Sequence, residues 1–329
     1  MENGIVLLFA SSLIYMAPLL YATLGEILME KNGSLNLGLE GVMAVGAITG
    51  YVFAAITQSL FVGILTAFIF SGLLGLLYSI LTVSFKANQN VTGLSITIFG
   101  VALQVIIGET LSVMGKFPKL ILGTKLANEV ARKAFGVLGK IPYIGNIFFK
   151  HSALIYLAVA LAIALWVFIK FTKPGAKLRA VGENPGAADA VGINVGEIRY
   201  TYTIIGSGIA GIGGLTMALI IQEGSWNYSW INGYGWMALS LVIFSSWSAL
   251  RAILTSWVFG ILIALSAQSG ILALSYPKTL GFLLKPPIEV YEMLPFILTV
   301  VAIIISSLNK KKQNKAPSSL GVNYFREDR

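Results

Sequence analysis

The chain has 329 residues, of which 56% are hydrophobic and 11% are charged, and its mean hydropathy is +0.82. A soluble domain carries about 25% charged residues, so this composition excludes a soluble globular protein and a disordered one. The formal net charge of +9 does not indicate a nucleic-acid partner, because little soluble surface remains to form a basic groove. The chain contains no Cys, which excludes disulfides and thiolate sites within it.

Long runs without charge predict membrane-spanning helices. About 20 apolar residues cross the hydrocarbon, and a charge at its centre costs about 2.5 to 3.5 kcal/mol. The second run is too long for one helix and breaks near Gln58 and Ser59, so we predict an all-α polytopic bundle of about nine to ten spans. The charge-free runs are 3–25, 41–85, 87–108, 152–169, 200–222, 224–250, 252–277 and 293–309.

Basic residues predict the orientation. Four lysines follow the last apolar run, which favours a cytoplasmic C-terminus. Counting back across the spans places 170–199 on the same side and 116–150 outside, although 116–150 is also basic. With nine spans the N-terminus is external, and with ten it is internal. We expect 116–150 and 276–292 to form short interfacial structure around the external mouth.

Glycine patterns predict close helix packing. Gly46 and Gly50 form a GxxxG pair, and 206–214 (GSGIAGIGG) forms a small-residue face. The segment 35–41 (LNLGLEG) allows a second interpretation, a broken or re-entrant helix whose backbone faces a pathway.

Groups for chemistry are scarce, and we predict neither a catalytic nor a metal site. His151 is the only histidine and is read as an interfacial residue. Glu40 follows Asn36 by four residues and could share its helical face, either as a turn-stabilising carboxylate or as a pathway residue. A functional Glu40 is what the alternative function, an ion-coupled secondary transporter, would require.

The hydrophilic segment 172–199 contains explicit turn chemistry. Asn184 precedes Pro185, which disfavours αR at Asn184, while Pro185 can begin a short helix and Gly192 can end it. The segment predicts a helix of about two turns between two spans. It is either part of a plain loop or, given the small Ala187, Ala188 and Ala190, a helix that lies in a groove of another protein.

Four strings carry a resemblance to a known family. They are LGEILMEKNGSLNLGLEGVMAVGA at 24–47, ANQNVTG at 87–93, AVGENPGAADAVGINV at 180–195 and GYGWMALSLVIF at 233–244. The sequence resembles the permease subunits of bacterial ABC importers of the ribose and branched-chain amino acid type, within the simple-sugar and nucleoside group. The resemblance extends from about 24 to 307 and departs from the usual pattern at SSWSALRA, after the last string.

The resemblance implies a transport subunit rather than an enzyme. It implies a separate ATP-binding subunit that holds ATP and Mg, with no cofactor on this chain, and also a second permease, an external solute-binding lipoprotein and a bacterial plasma-membrane location. The residues it implies for coupling to the ATPase are Gly182, Glu183, Asn184, Pro185, Ala187, Ala188, Asp189 and Gly192.

A pathway for a neutral sugar or nucleoside should offer uncharged hydrogen-bonding groups and aromatic faces. Trp226, Tyr228 and Trp230 are instead interpreted as a membrane-interface belt. The candidate pathway residues, which include Glu40, are Asn36, Glu40, Gln89, Asn90, Thr92, Tyr234 and Trp236.

The domain organisation follows from the charge-free runs. We expect one transmembrane domain over 1–308, with the coupling loop at 172–199, and a basic polar tail over 309–329 that is disordered.

Overall fold

Helices occupy most of the chain, as the apolar runs predict. The computed structural model describes residues 4–114, 124–131, 138–223, 225, 230–231, 233–275, 286–308 and 316–325. In chain order the α-helices are α1 Gly4–Glu30, α2 Leu39–Thr57, α3 Leu60–Ser79, α4 Gln89–Val113, α5 Thr124–Ala131, α6 Ala153–Phe171, α7 Lys173–Glu183, α8 Pro185–Ala190, α9 Val195–Thr216, α10 Tyr234–Phe244, α11 Ala249–Ser275, α12 Ile288–Glu292 and α13 Leu294–Leu308.

The apolar helices correspond to the predicted runs. Among the described residues, seven helices are long and apolar enough to cross a membrane: α1, α2, α3, α4, α6, α9 and α11. A single π-helical turn lengthens α3 to Ser84 and α9 to Ile221. The two remaining runs contain the shorter apolar helices α10, of 11 residues, and α13, of 15 residues. The prediction of a polytopic helical bundle is confirmed, and the protein is a multi-pass membrane protein.

Helix α9 lies at the centre and packs against α1, α2 and α3. The close approach depends on glycine: a Cβ added at Gly46 would lie 2.3 Å from the carbonyl oxygen of Gly211, and one at Gly214 would lie 1.9 Å from that of Met43. A Cβ at Gly25 would likewise lie 2.3 Å from the carbonyl oxygen of Gly206. The prediction that the glycine patterns serve tight packing is confirmed for these pairs.

The chain is not helical between α1 and α2. The segment 31–38 turns at Gly33, which has φ +91°, and α2 begins only at Leu39. A glycine suits this turn because other residues rarely adopt a positive φ. The predicted break in helical structure is therefore present here, while its role in a pathway stays a prediction.

Contacts define the two ends of the bundle. At one end, the backbone N–H of Ser319 donates to the carbonyl of Gly182 at 3.0 Å. Lys86, beyond the last turn of α3, lies at this end too, with its ammonium 5.7 Å from the ring centroid of Phe325. We call it the basic end. At the other end, the N–H of Leu60 donates to Glu129 Oε2 of α5 at 2.9 Å. The tail and the 170–199 segment therefore share one end, as predicted.

The expectation that the whole tail is disordered is wrong for 316–325. These residues form a turn followed by a stretch without regular secondary structure that packs on the basic end, and Ser319 is buried. Hydrogen bonds to distant parts of the chain hold them, together with apolar contacts of Ala316, Leu320 and Tyr324. Residues 309–315 and 326–329 lie outside the described residues.

The interpretation of Trp230 as an interface-belt residue is also wrong. Its ring is fully buried and packs edge-on against Tyr51 of α2, with ring centroids 5.3 Å apart. Its indole N–H donates to the carbonyl of Ser225 at 2.6 Å. A fully buried indole ring cannot lie in the membrane interface, and its N–H already has a partner on the chain. Trp226 and Tyr228 lie outside the described residues.

The segments 116–150 and 276–292 form short helical structure, as expected, where they are described, while their external location stays a prediction. The first contains α5, one 3₁₀ turn at Leu138–Lys140 and one π turn at Gly145–Phe149. His151 follows, buried, with Nε2 2.6 Å from the carbonyl oxygen of Ile147. In the second segment, α12 is described and 276–285 is not.

Candidate functional site

The segment between α6 and α9 forms two consecutive helices. Thr172 caps α7, its hydroxyl accepting from the N–H of Gly175 at 3.1 Å, and Asn184 ends it in an extended conformation with φ −150° and ψ 92°. Asn184 also caps α8, since its Oδ1 accepts from the N–H of Ala187 at 2.9 Å. Gly192 then turns the chain with φ +84°. The predicted short helix and its turn residues are confirmed, whereas sequence reasoning missed α7.

Helix α8 presents one face outward and one inward. Ala187, Ala190 and Val191 are exposed, the last to 76%, while Ala188 is buried. Ala188 packs with Val181 of α7 and Val195 of α9 in a small apolar cluster. The structure therefore keeps two of the three predicted alanines available to another protein and uses Ala188 to hold α8 on its own chain.

The last turn of α7 lies very close to Lys31, the residue that follows α1. A Cβ added at Gly182 would lie 2.2 Å from the carbonyl oxygen of Lys31, so any larger residue would push α7 away from α1. Burial lowers the pKa of Lys31, while the nearby Glu183 opposes that shift and Arg179 adds to it. Charges in the last turns of α7 and just beyond the end of α1 therefore lie close enough to influence each other.

A cavity of about 380 Å³ lies beside α8. Burial and the nearby Arg199 lower the pKa of Lys86, one of its lining residues. Asp189 also lines this cavity, so the cavity offers both a positively charged and a negatively charged group. Its lining residues are Lys86, Asp189, Gly192, Ile193, Asn194, Val195, Gly196 and Tyr324.

Two predicted pathway residues, Asn36 and Gln89, hold the non-helical segment between α1 and α2. The Oδ1 of Asn36 accepts from the N–H of Gly38 at 2.9 Å. The Oε1 of Gln89 accepts from the N–H of Leu35 at 2.8 Å and from the hydroxyl of Tyr78 at 3.3 Å. Both side chains are buried and already use these oxygens to satisfy polar groups of the chain itself.

Glu40 joins α2 to the start of α10. Its carboxylate accepts from the N–H of Gly233 at 2.6 Å and from that of Gly235 at 2.8 Å. A carboxylate at a helix N-terminus pairs with amide groups that have no partner within the helix. This geometry favours the turn-stabilising interpretation of Glu40 over the pathway interpretation.

The remaining pathway candidates divide by exposure. Thr92 and Tyr234 are buried, whereas Asn90 is exposed and Trp236 is 41% exposed. The backbone N–H of Asn90 donates to the cap residue Asn88 at 3.0 Å. Asn90 therefore lies on an outer face of α4. The side chain of Trp236 remains partly exposed, next to Gly235, which contacts Glu40.

Sequence reasoning missed three buried charged residues. Glu26 and Glu30 lie one turn apart on α1, and Arg199 lies on α9; all three are at most 3% exposed. Glu30 accepts from the indole N–H of Trp247, and Glu26 Oε1 accepts from the N–H of Asn36 at 3.3 Å. The spacing of Glu26 and Glu30 could have predicted them. Both follow an apolar run directly and are four residues apart, so a helix that continues past Gly25 places both on one face.

Comparisons with known proteins agree with this architecture. Residues 8–303 match the family model described as the branched-chain amino acid transport system / permease component. No solved structure matches the chain.

Three curated relatives match nearly end to end. The nucleoside ABC transporter permease protein NupC of Lactococcus lactis is 31% identical over 98% of both chains. The guanosine ABC transporter permease protein NupQ of Bacillus subtilis is 32% identical over 93% of this chain and 94% of its own. The putative glucose ABC transporter permease protein TsgC13 of Haloferax volcanii is 31% identical over 94% of each. The resemblance drawn from the four sequence strings is confirmed, and the chain belongs to the family of branched-chain amino acid transport system permease components.

Proposed function

We propose that this chain is the membrane permease subunit of an ABC importer and that it moves a nucleoside by alternating access. The observation that carries the proposal is α8, a short capped helix at the basic end with an exposed outer face of small residues. Two of the relatives named above are called nucleoside or guanosine permeases, which favours a nucleoside over a simple sugar.

The proposed partner at the basic end is a separate ATP-binding subunit. It would contact Gly182 to Gly192, with Glu183, Ala187 and Gly192 exposed and Asp189 half-buried at the cavity. Charges at a docking surface set partner choice and register, so Glu183 and Asp189 are the residues whose reversal should disturb docking most.

The transport step follows from how α8 is attached. ATP binding in the partner subunits would move α8, and the cluster of Val181, Ala188 and Val195 would pass that movement to α7 and α9. Because α9 packs against α1, α2 and α3, a shift of α9 changes the packing of the central helices. The free energy comes from ATP hydrolysis on the partner, and this chain stabilises two arrangements in turn.

The remaining partners are proposed by the same logic. A second, homologous permease would complete the membrane assembly, and an external lipoprotein would deliver solute over 116–150 and 276–292. Trp236 is the candidate for stacking on a base or sugar ring, because its side chain is 41% exposed beside the start of α10. Asn36 and Gln89 would act by holding the segment between α1 and α2 in place.

The test is uptake of labelled nucleosides and sugars by vesicles that contain the chain with an ATP-binding subunit, a second permease and a solute-binding lipoprotein from the same organism. We expect ATP-dependent nucleoside uptake that Glu183→Lys or Asp189→Lys reduces at least about tenfold, together with weaker retention of the ATP-binding subunit on purification. Membrane insertion should be unchanged.

Glu197→Lys is the matched control, because Glu197 is exposed at the same end and lies outside Gly182 to Gly192. Normal uptake and normal subunit retention in both charge-reversal variants would remove the coupling assignment. Uptake by the chain alone, driven by a proton or sodium gradient, would instead favour an ion-coupled secondary transporter.

A further inference from the structure

Residues 316–325, here called the strap, connect the proposed coupling segment, Gly182 to Gly192, to three parts of the bundle. We propose that the strap positions α8 so that its movement reaches α1 and α9, which makes Ser319 and Tyr324 positioning residues for coupling. The inference rests on the proposed function for what α8 does, and on the geometry of the chain itself for how α8 is held.

The strap first contacts the coupling segment at two places, Gly182 at the end of α7 and Asp189 within α8. Ser319 donates twice to the carbonyl of Gly182, from its backbone N–H at 3.0 Å and from its hydroxyl at 2.7 Å. The Tyr324 hydroxyl donates to Asp189 Oδ2 at 2.8 Å. The carbonyl of Gly182 lies in the last turn of α7, where helical carbonyls have no partner further along the helix. The strap supplies that partner and reaches past α8 as well.

The strap also binds the bundle. The N–H of Gly321 donates to the carbonyl of Gly33, beyond the end of α1, at 3.1 Å. Arg199 of α9 donates from Nη1 to the carbonyl of Val322 at 3.0 Å. Asn323 donates to the carbonyl of Lys86 at 2.7 Å and accepts from Gln89 Nε2 at 3.1 Å, which covers the link between α3 and α4. Ten residues thus contact the ends of four spanning helices.

Helix α8 needs such support. It has six residues, and isolated helices shorter than about 12 residues are marginal in water. Its apolar anchor within the segment is the cluster of Val181, Ala188 and Val195, against which the ring of Tyr324 packs. The strap therefore adds a hydrogen bond and apolar contact to a short helix that buries Ala188 on its own chain.

The position of the strap indicates that it supports α8 and does not block docking of a partner on α8. The hydroxyls of Ser318 and Tyr324 donate to Glu183 and Asp189, but Ala187, Ala190 and Val191 remain exposed with the strap in place, so the strap leaves the small-residue face of α8 open. An inhibitory segment would cover the docking face. Tyr324 forms one wall of the cavity next to α8 together with Asp189 and Gly192, which leaves a shaped recess beside the exposed face.

The test compares the full chain with the double variant Ser319→Ala, Tyr324→Phe, which removes two hydroxyl groups and keeps the tyrosine ring. Val322→Ala is the control, since its side chain is 57% exposed and its backbone carbonyl still accepts from Arg199. The first measurement is backbone hydrogen exchange of 181–192 in the purified chain. We expect exchange at least about tenfold faster in the double variant, because each lost hydrogen bond of ordinary strength contributes several-fold.

The second measurement is solute transported per ATP hydrolysed in the complete transporter. We expect this ratio to fall severalfold in the double variant, with ATP-binding subunit retention near normal, whereas Val322→Ala matches the parent chain. Unchanged exchange of 181–192, or a ratio that stays equal or rises, would overturn the role of the strap. If the parent transporter shows no ATP-dependent uptake, the proposed function fails, and the exchange measurement still decides whether the strap holds α8.

Discussion

The carboxylate of Glu40 accepts hydrogen bonds from the backbone of both Gly233 and Gly235, residues 193 and 195 positions further along the chain. The first turn of α2 and the first turn of α10 therefore meet at a single side chain. This contact stabilises the start of α10 against α2, where amide groups inside the bundle need a partner other than water.

Glu40→Gln should destabilise the bundle without preventing insertion. The amide keeps one oxygen as an acceptor, so one of the two glycine N–H groups loses its charge-assisted hydrogen bond, at a cost of about 1 to 3 kcal/mol. A lower thermal unfolding midpoint in detergent would be the measured effect, and Glu40→Ala should lower it further. Equal midpoints for all three chains would contradict the capping role.

Gly46→Leu should abolish the folded bundle. A Cβ at this position would lie 2.3 Å from the carbonyl oxygen of Gly211, and a backbone atom cannot rotate aside. We expect loss of the monodisperse peak in size-exclusion chromatography. The control is Gly270→Ala on α11, where an added Cβ meets nothing within 4 Å and alanine favours the helix by about 1 kcal/mol. Comparable behaviour of the two variants would show that the contact between α2 and α9 is not required.

Gly192→Ala should disturb the end of α8 through its backbone alone. An added Cβ would meet no atom within 4 Å, yet φ is +84°, a conformation that costs a side-chain-bearing residue about 1 to 2 kcal/mol. Faster hydrogen exchange at 189–193 and reduced uptake are expected. Gly186→Ala serves as the control, because its Cβ would meet Asn184 Oδ1 at an ordinary 3.6 Å and alanine suits the helix. A larger effect from Gly186→Ala than from Gly192→Ala would refute this account.

His151 should make stability depend on mildly acidic pH. Burial lowers its pKa below the usual value of 6.5, although the carbonyl of Ile147 partly offsets that shift. Below about pH 6.5 the unfolded chain binds a proton that the folded chain does not, so stability falls as the pH decreases from 6.5 toward the folded pKa. The unfolding midpoint of the parent chain should drop from pH 7.5 to 5.5, and that drop should be smaller in His151→Gln. An identical drop in both chains would exclude His151 as its source.

Local features were predictable from the sequence. The apolar runs locate each spanning or shorter apolar helix, because placing a charge in hydrocarbon is costly and the charged residues therefore mark the ends of the spans. Asn184, Pro185 and Gly192 specify α8 and its ends, because caps and turns depend on a few neighbouring residues. Family membership followed from four strings, each of which is continuous in the chain.

Contacts between distant residues were not predictable in this way. Only the folded bundle pairs Ser319 with Gly182, separated by 137 positions, and thereby orders a polar tail that composition alone assigns to disorder. Only the folded bundle turns Glu40 toward the glycines before α10 and Ala188 toward its own chain. A side chain's neighbours depend on how the helices cross. The apolar pattern and the turn residues of one helix do not determine which of its faces another helix will cover.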